Sequence, residues 1–222
     1  MSIPVTRTAR RGFLGSVAAG AAALVVGRWS LADAEDAPPI ESSALGDKWI
    51  ARIKGKHKQV FDCTSPNAGF GIAFGLNFID TTKQALKLTD NDVVSVVSYR
   101  HMSMPLMLND AMWAKYKIGE VLDVKDPKTT VPATRNIFRD SVMGRPGMTY
   151  EQIAGRQNVI LTACNVALTV LSGMAAPNAG VSSEEAKNDW TANLIPGVNL
   201  VPSGVYAVNR AQMAGCTYCN GG

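Results

Sequence analysis

The sequence contains four cysteines, and these are its residues best suited to nucleophilic or redox chemistry: Cys63, Cys164, Cys216 and Cys219. Cys164 ends an apolar run of strand character, "NVILTA", and a helical pattern begins directly after it. The free amides and the dipole at a helix N-terminus can lower the pKa of a cysteine there from about 8.5 to as little as 3.5–7.5. The position therefore suits an ionised thiol, although a small buried residue that fills the junction is an equal alternative.

Two neighbouring strands bring further candidates to the same place. We predict that "KHKQVFDC" is a strand ending near Cys63, and that "NDVVSVVSYR" is a strand ending at Arg100, with His101 next. In open parallel sheets, ligands and chemistry collect beyond the carboxyl ends of the strands. We therefore expect Arg100 and His101 to lie beside Cys164 and stabilise its thiolate, with Cys63 as a candidate resolving thiol.

The C-terminal stretch "GCTYCNGG" holds a second candidate redox pair, Cys216 and Cys219. If "CTYC" is a straight strand, the two Cα atoms lie about 10 Å apart at roughly 3.3 Å per residue. A disulfide needs Cα atoms within about 7 Å, so a bridge between these two cysteines requires a turn. Attachment of c-type haem needs a histidine where Asn220 stands, and one such pair is too few ligands for zinc. No cofactor and no metal site is predicted.

A glycine-rich stretch, "GFGIAFG", follows the first predicted strand. Its spacing is G-x-G-x-x-x-G, with Phe74 where a dinucleotide-binding loop has its third glycine. The second strand ends in Tyr99 and Arg100, so the acidic residue that binds a ribose is missing there. The glycines are therefore interpreted as sites of close helix packing.

The first residues have the pattern of a twin-arginine export signal, assigned to residues 1–34. Arg10 and Arg11 precede Phe13 and a weakly apolar run that is too short to span a bilayer, since a spanning helix needs about 20 apolar residues. Small residues at 32 and 34 form an A-x-A cleavage pattern. The signal predicts a periplasmic protein without a membrane segment after cleavage. A retained N-terminal anchor is the alternative.

The rest of the chain is predicted to form one domain. Residues 35–55 are interpreted as a linker or an ordered N-terminal arm, and residues 56–222 as an α/β domain with an inserted excursion at about 121–148. The excursion is expected to pack over the domain or against a neighbouring subunit. Most of the formal charge of +4 belongs to the signal, so no basic stripe remains, and nucleic acid is not an expected partner.

Alternating strands and helices predict an α/β fold with a mostly parallel sheet. We expect about five strands flanked by helices. Ser65 with Pro66 is predicted to start the first helix, and Ser103 to cap the second.

Two stretches, "NVILTACNVAL" and "LIPGVNLVPSGVYAVNRAQMAGCTY", resemble the DsrE/DsrF-like family of sulfur-carrier proteins. The resemblance covers roughly Lys56 to Cys219. It implies a flavodoxin-like fold, assembly into dimers, trimers or hexamers, and a persulfide carried by Cys164. It also implies a thiol or sulfur-donor partner protein. The chain differs from the known relays in its export signal and in its excursion.

Three hypotheses on function follow. The first is sulfane-sulfur handling by Cys164, supported by Arg100 and His101, with Cys63, Cys216 or Cys219 as a resolving thiol. The second is a non-catalytic binding or oligomer-assembly module in which the cysteines are buried or bridged. The third is a periplasmic thiol–disulfide oxidoreductase that uses Cys216 and Cys219.

Overall fold

The structure is a computed structural model, and it describes residues 46–140, 142 and 148–222. The predicted signal, residues 1–34, and the first part of the predicted arm lie outside the described residues. Within the described ranges, no helix has both the length and the apolar character needed to cross a bilayer.

Five parallel strands form a single sheet, in the order β4-β3-β2-β1-β5. The strands are β1 His57–Cys63, β2 Val93–Tyr99, β3 Val159–Cys164, β4 Asn199–Val201 and β5 Thr217–Asn220. Every residue of the central strand β2 is buried, which explains its nearly continuous valine sequence. The predicted α/β fold, a parallel sheet of five strands flanked by helices in flavodoxin-like layers, is confirmed.

Most helices belong to the larger apolar cluster, on the face of the sheet that carries Phe61, Val97 and Leu161. These helices are α1 Phe70–Leu86, α2 Asp110–Lys115, α3 Ile118–Val121, α4 Tyr150–Ala154, α5 Asn165–Ala179 and α6 Ser183–Ala192. The last helix, α7 Gly204–Met213, covers the opposite face together with a 3-10 segment, Asp47–Arg52. The carboxyl edge of the sheet therefore lies between two different helical layers.

The start of α1 differs from the prediction. The helix begins at Phe70, and its N-cap is Gly69 in the left-handed conformation, with φ 79°. Asn67–Gly69 form a short 3-10 segment in which Ala68 also has a positive φ. Ser65 therefore does not cap this helix, because the chain turns once more after β1 before the helix begins.

The helix predicted to start at Ser103 is broken into three pieces. His101–Met107 form a 3-10 segment that contains Pro105, and α2 and α3 follow it. Pro105 provides no amide for an α-helical ladder. The α-helical geometry begins only after Asn109, whose side chain accepts a hydrogen bond from the backbone N–H of Met112.

Residues 46–53 are an ordered arm and not a linker. Trp49 and Ile53 are buried against the α7 side of the sheet. Arg52 donates hydrogen bonds to the backbone carbonyls of Arg156 and Val159, at 3.0 and 2.9 Å. The arm thus closes the smaller of the two apolar clusters.

The described part of the excursion packs over the domain. The side-chain amide of Asn136, which is fully buried, donates to the carbonyls of Leu106 and Leu108, both at 2.8 Å. Arg139 forms ion pairs with Asp110 and Glu151. These bonds hold the excursion against α2 and α4, as the first of the two predicted placements requires.

Candidate functional site

The carboxyl ends of β1, β2 and β3 lie in register at one edge of the sheet. Cys63 pairs with Tyr99 across β1 and β2, and Tyr99 pairs with Ala163 across β2 and β3. Arg100 directly follows Tyr99, and Cys164 directly follows Ala163, the residue that pairs with Tyr99. They therefore lie side by side at the same edge.

Cys164 occupies the junction between β3 and α5. Its backbone is extended, it is the N-cap of α5, and its Sγ accepts a hydrogen bond from the backbone N–H of Ala167 at 3.3 Å. The residue is a free cysteine with 5% of its surface exposed. A sulfur in this position has an amide donor and a helix N-terminus to stabilise negative charge.

Arg100 is fixed beside Cys164 by a carboxylate from the next strand. Its Nε and Nη2 donate to Oδ1 and Oδ2 of Asp62 at 2.7 and 2.8 Å, and the hydroxyl of Tyr218 donates to the same carboxylate at 3.2 Å. The hydrogen bonds to Asp62 raise the pKa of Arg100, and the negative charge of an ionised Cys164 acts in the same direction. Arg100 is therefore a permanent, oriented cation near the sulfur.

A glycine lets α7 approach this arginine closely. A Cβ atom on Gly204, the first residue of α7, would lie 2.3 Å from the Cβ of Arg100 and 2.7 Å from its Cδ. No larger residue fits there without movement of the arginine. The N-terminus of α7 thus lies against the side chain of Arg100.

A row of polar residues crosses the sheet just below this edge, on the α7 side. Asp62 pairs with Ser98, Ser98 pairs with Thr162, and the row ends at Asn199 and Asn220. The row was not found in the sequence, because only the register of the folded sheet aligns these residues from five separate strands.

His101 does not join the site as predicted. It is exposed, it has a φ of 53°, and within the described residues it forms no hydrogen bond or ion pair. The left-handed backbone turns the chain out of β2 into the 3-10 segment. His101 was expected beside Cys164 together with Arg100, whereas the partner of Arg100 in the structure is Asp62, which the sequence analysis missed.

Cys63 lies at the same edge but faces the α1 side. Cβ atoms on Gly71 and Gly221 would lie only 2.3 and 2.6 Å from its sulfur, so the thiol fills the space between two backbones. Burial, with smaller contributions from Asp62 and Cys219, raises the pKa of Cys63 to about 12. A neutral and enclosed thiol is poorly suited to the predicted resolving role.

Cys216 and Cys219 point to opposite faces of the sheet. Cys216 precedes β5 at its amino end and packs in the α7-side cluster, where burial raises its pKa to about 11. Cys219 lies within β5, is partly exposed and packs against the α1-side cluster. The "CTYC" stretch enters the sheet as a strand, so the predicted redox pair is not formed and both thiols are free.

The glycine-rich stretch allows close helix packing, as its sequence indicated. A Cβ atom on Gly75 would lie 2.6 Å from Oγ of Ser95 and 2.9 Å from Cγ2 of Val97. Gly71 and Gly75 are one helical turn apart, so they let α1 lie directly on β1 and β2.

Two surface clefts lie away from Cys164. One is formed by α1 residues together with Val142 and Met148, and the other lies at the amino end of β2 near Arg52 and Asn158. Neither contains Cys164, Arg100 or Asp62. Among the described residues, no group of three His, Cys, Asp or Glu side chains is arranged to hold a metal ion.

Comparisons with known proteins identify no family for this chain. No family model matches it, and no curated protein matches it. A protein of unknown function from Methanobacterium thermoautotrophicum, MTH1491, is similar in structure, with 16% sequence identity and a TM-score of 0.34. The match covers 74% of this chain and 98% of that one. At this TM-score, the similarity carries no information on function.

Proposed function

We propose that this protein carries sulfane sulfur as a persulfide on Cys164. The observation that supports the proposal best is the position of the sulfur. It accepts an amide at the N-terminus of α5 and lies in the field of Arg100, which Asp62 holds in place. An amide donor, the N-terminus of α5 and a fixed cation thus lie beside the sulfur that the proposed reaction uses.

In the proposed reaction, the thiolate of Cys164 attacks the outer sulfur of a donor. The bond between that sulfur and the donor breaks, and the donor leaves with the electron pair. The product is a persulfide, whose terminal sulfur lies about 2 Å from Sγ. Because Cys164 is only 5% exposed, transfer requires that this longer side chain reach the surface, where a partner thiol can accept the sulfur.

The proposal includes three further expectations from the sequence. The chain is a member of the DsrE/DsrF-like family, it is exported to the periplasm by the twin-arginine route, and it forms a homo-oligomer. An apolar stripe on the outer side of α5 supports an interface between copies, because Val166, Val170 and Met174 are 51%, 45% and 64% exposed. Contiguous exposed apolar side chains of this kind mark interaction surfaces.

Intact-mass analysis tests the persulfide. Reduced protein is treated with an excess of a persulfide donor, freed of small molecules, and weighed before and after addition of dithiothreitol. We expect a gain of about 32 Da, one sulfur atom, that dithiothreitol removes. Cys164→Ser should abolish the gain, whereas Cys219→Ser, which changes the most exposed of the four cysteines, should retain it. An adduct that persists in Cys164→Ser contradicts the proposal.

A non-catalytic binding module is the second candidate, because three of the four cysteines are buried. This candidate predicts that Cys164 stays unlabelled by iodoacetamide in the native protein, as Cys63 does. Peptide mapping of the native, labelled protein separates the two. Labelling at Cys164 under conditions that leave Cys63 untouched favours the carrier.

A further inference from the structure

The guanidinium of Arg100 has one nitrogen that the structure leaves unused. Nε and Nη2 bind Asp62, whereas Nη1 forms no hydrogen bond with any described residue. The Arg100 side chain is 29% exposed, and the Asp62 side chain that orients it is 7% exposed. The arginine therefore presents donors to the surface in a fixed orientation, which suits an oxyanion.

Two helices direct their N-termini toward this arginine and toward Cys164. The amides of Gly204 and Val205 open α7 and have no acceptor within the helix. Gly204 packs directly on Arg100, and α5 starts immediately after Cys164. Neither helix has an acidic residue in its first turn, so nothing there competes for the positive ends of the dipoles.

An observation independent of the helices also points to a ligand. The hydroxyls of Ser98 and Thr162 are fully buried and have no hydrogen-bond partner among the described residues. They pair with each other in register, and Ser98 lies two residues before Arg100 as Thr162 lies two residues before Cys164. Unpartnered hydroxyl dipoles so placed can orient toward a negative charge above them.

We propose that Arg100 and the N-terminus of α7 bind the sulfonate group of an anionic sulfane-sulfur donor of the thiosulfate type. This inference rests on the proposed function, because it names the donor class for Cys164. Arg100 and the α7 amides take the sulfonate oxygens, and the outer sulfur of the donor is directed toward Cys164. The bound sulfonate is thus both anchored and positioned for departure.

The step balances without any oxidant or reductant. The Cys164 thiolate attacks the outer sulfur of thiosulfate, and an S–S bond forms while the S–S bond within thiosulfate breaks. Sulfite leaves with the electron pair of the broken bond, and Cys164 holds a persulfide anion. The total charge is unchanged. The charge that develops on the departing sulfite lies where Arg100 and the amides can stabilise it.

The test compares two donors on the same protein. Thiosulfate carries a sulfonate, whereas the persulfide of 2-mercaptoethanol delivers the same sulfur atom without one. Loading of Cys164 is followed by intact mass. Sulfate, a tetrahedral dianion that cannot donate sulfur, should compete with thiosulfate and leave the second donor unaffected, with chloride keeping the ionic strength constant.

A double variant and its matched control give the same comparison without sulfate. Asp62→Asn with Arg100→Gln removes both charges together, so no buried carboxylate is left unpaired. We expect the half-saturating thiosulfate concentration to rise by about tenfold or more, and thiosulfate loading to fall by a larger factor than loading from the sulfonate-free donor, since only thiosulfate loses its anchor as well as the cation beside Cys164. Asp47→Asn with Arg210→Gln is the matched control, because it removes an Asp–Arg pair beside the same helix, α7.

The outcomes separate the two proposals. If neither donor loads the wild-type protein, the proposed function fails and this inference fails with it. If the sulfonate-free donor loads Cys164, but sulfate does not compete with thiosulfate and the double variant lowers loading from both donors equally, the sulfonate site is wrong and the carrier stands. Circular dichroism of the double variant establishes that it is folded, and the sulfate competition on the wild type decides the question if it is not.

Discussion

The two cysteines at the carboxyl edge of the sheet differ in chemistry because their surroundings differ. Cys63 is the last residue of β1, and Cys164 is the last residue of β3 at the same edge of the sheet. The sulfur of Cys63 is enclosed by two glycine backbones, whereas that of Cys164 meets an amide at a helix N-terminus. A cysteine is therefore assigned a role here by its contacts and not by its place in the sequence.

The pKa of Cys63 predicts how stability changes in alkali. Burial raises the pKa of Cys63 to about 12 in the folded state, whereas an exposed thiol has a pKa of 9.0. Below pH 9, the thiol is protonated in both states and its contribution to stability is fully present. As pH rises from 9 toward 12, the unfolded state loses its proton first, so this contribution is lost progressively.

We expect Cys63→Ala to reduce that loss. Between pH 8 and pH 10, the free energy of unfolding of the wild type should fall by on the order of 1 kcal/mol more than that of the variant. Urea unfolding in the presence of a reductant measures both. Val97→Ala, a buried substitution that removes no titratable group, should keep the wild-type pH dependence. An equal fall in Cys63→Ala and wild type would contradict the role assigned to burial.

The sequence predicted only those residues of the candidate site that lie at the end of a recognisable strand. Cys164 and Arg100 were found because each directly follows a recognisable apolar run. Asp62 was missed because its bond to Arg100 joins residues 38 positions apart, and no local pattern records that contact. His101 was misplaced because one residue with a positive φ is enough to turn a side chain away.

At the scale of elements, the approach of α1 to the sheet depends on two glycines one turn apart. A methyl group on Gly71 would meet the sulfur of Cys63 at 2.3 Å, and one on Gly75 would meet Ser95 and Val97. Contacts below 3 Å require a movement of these side chains, of the helix or of the strand. The spacing of α1 from β1 and β2 is thus set by the absence of side chains.

Gly71→Ala should therefore destabilise the fold by about 1–3 kcal/mol, the usual cost of overpacking. Gly173→Ala is the matched control, because it lies inside α5 with no neighbour closer than 3.5 Å, and it should be neutral or stabilising by up to about 1 kcal/mol. Adding Cys63→Ala to Gly71→Ala removes the colliding sulfur and should recover part of the loss. Urea unfolding of Gly71→Ala, of Cys63→Ala and of the double variant measures this coupling. Strictly additive changes in the free energy of unfolding would contradict the contact.

The elements themselves were largely predictable, whereas their ends were not. All five strands and the helix after Cys164 were found, because a buried parallel sheet imposes long apolar runs separated by helical patterns. The start of α1 and the 3-10 segment His101–Met107 were not found. Both depend on left-handed residues and on tertiary bonds, which local patterns of polarity do not express.

At the scale of the whole molecule, the two faces of the sheet are covered differently. The α1 side holds six helices of the described chain, while α7 and the arm cover the other side. Among the described residues, the outer surface of α5 carries exposed apolar side chains. This helix has no charged residue, and its exposed Val166, Val170 and Met174 recur every four residues, so they form one stripe.

A stripe of this kind predicts where copies of the chain meet. Val170→Glu places a charge at its centre, and burial of an unpaired carboxylate at an interface is unfavourable. We expect the wild type to be larger than one chain in sedimentation velocity at micromolar concentration, and Val170→Glu to sediment as a single chain. Circular dichroism should show the same helix content in both, because residue 170 is exposed within the chain.

Leu86→Glu is the matched control for the stripe. Leu86 ends α1, and it is 54% exposed and apolar like Val170, but it lies on a different helix. The same charge at residue 86 should leave the assembly intact, which separates a specific interface from a general effect of added charge on association. A wild type that already sediments as one chain, or an assembly that survives Val170→Glu, would remove α5 as the interface and leave its stripe to a different partner.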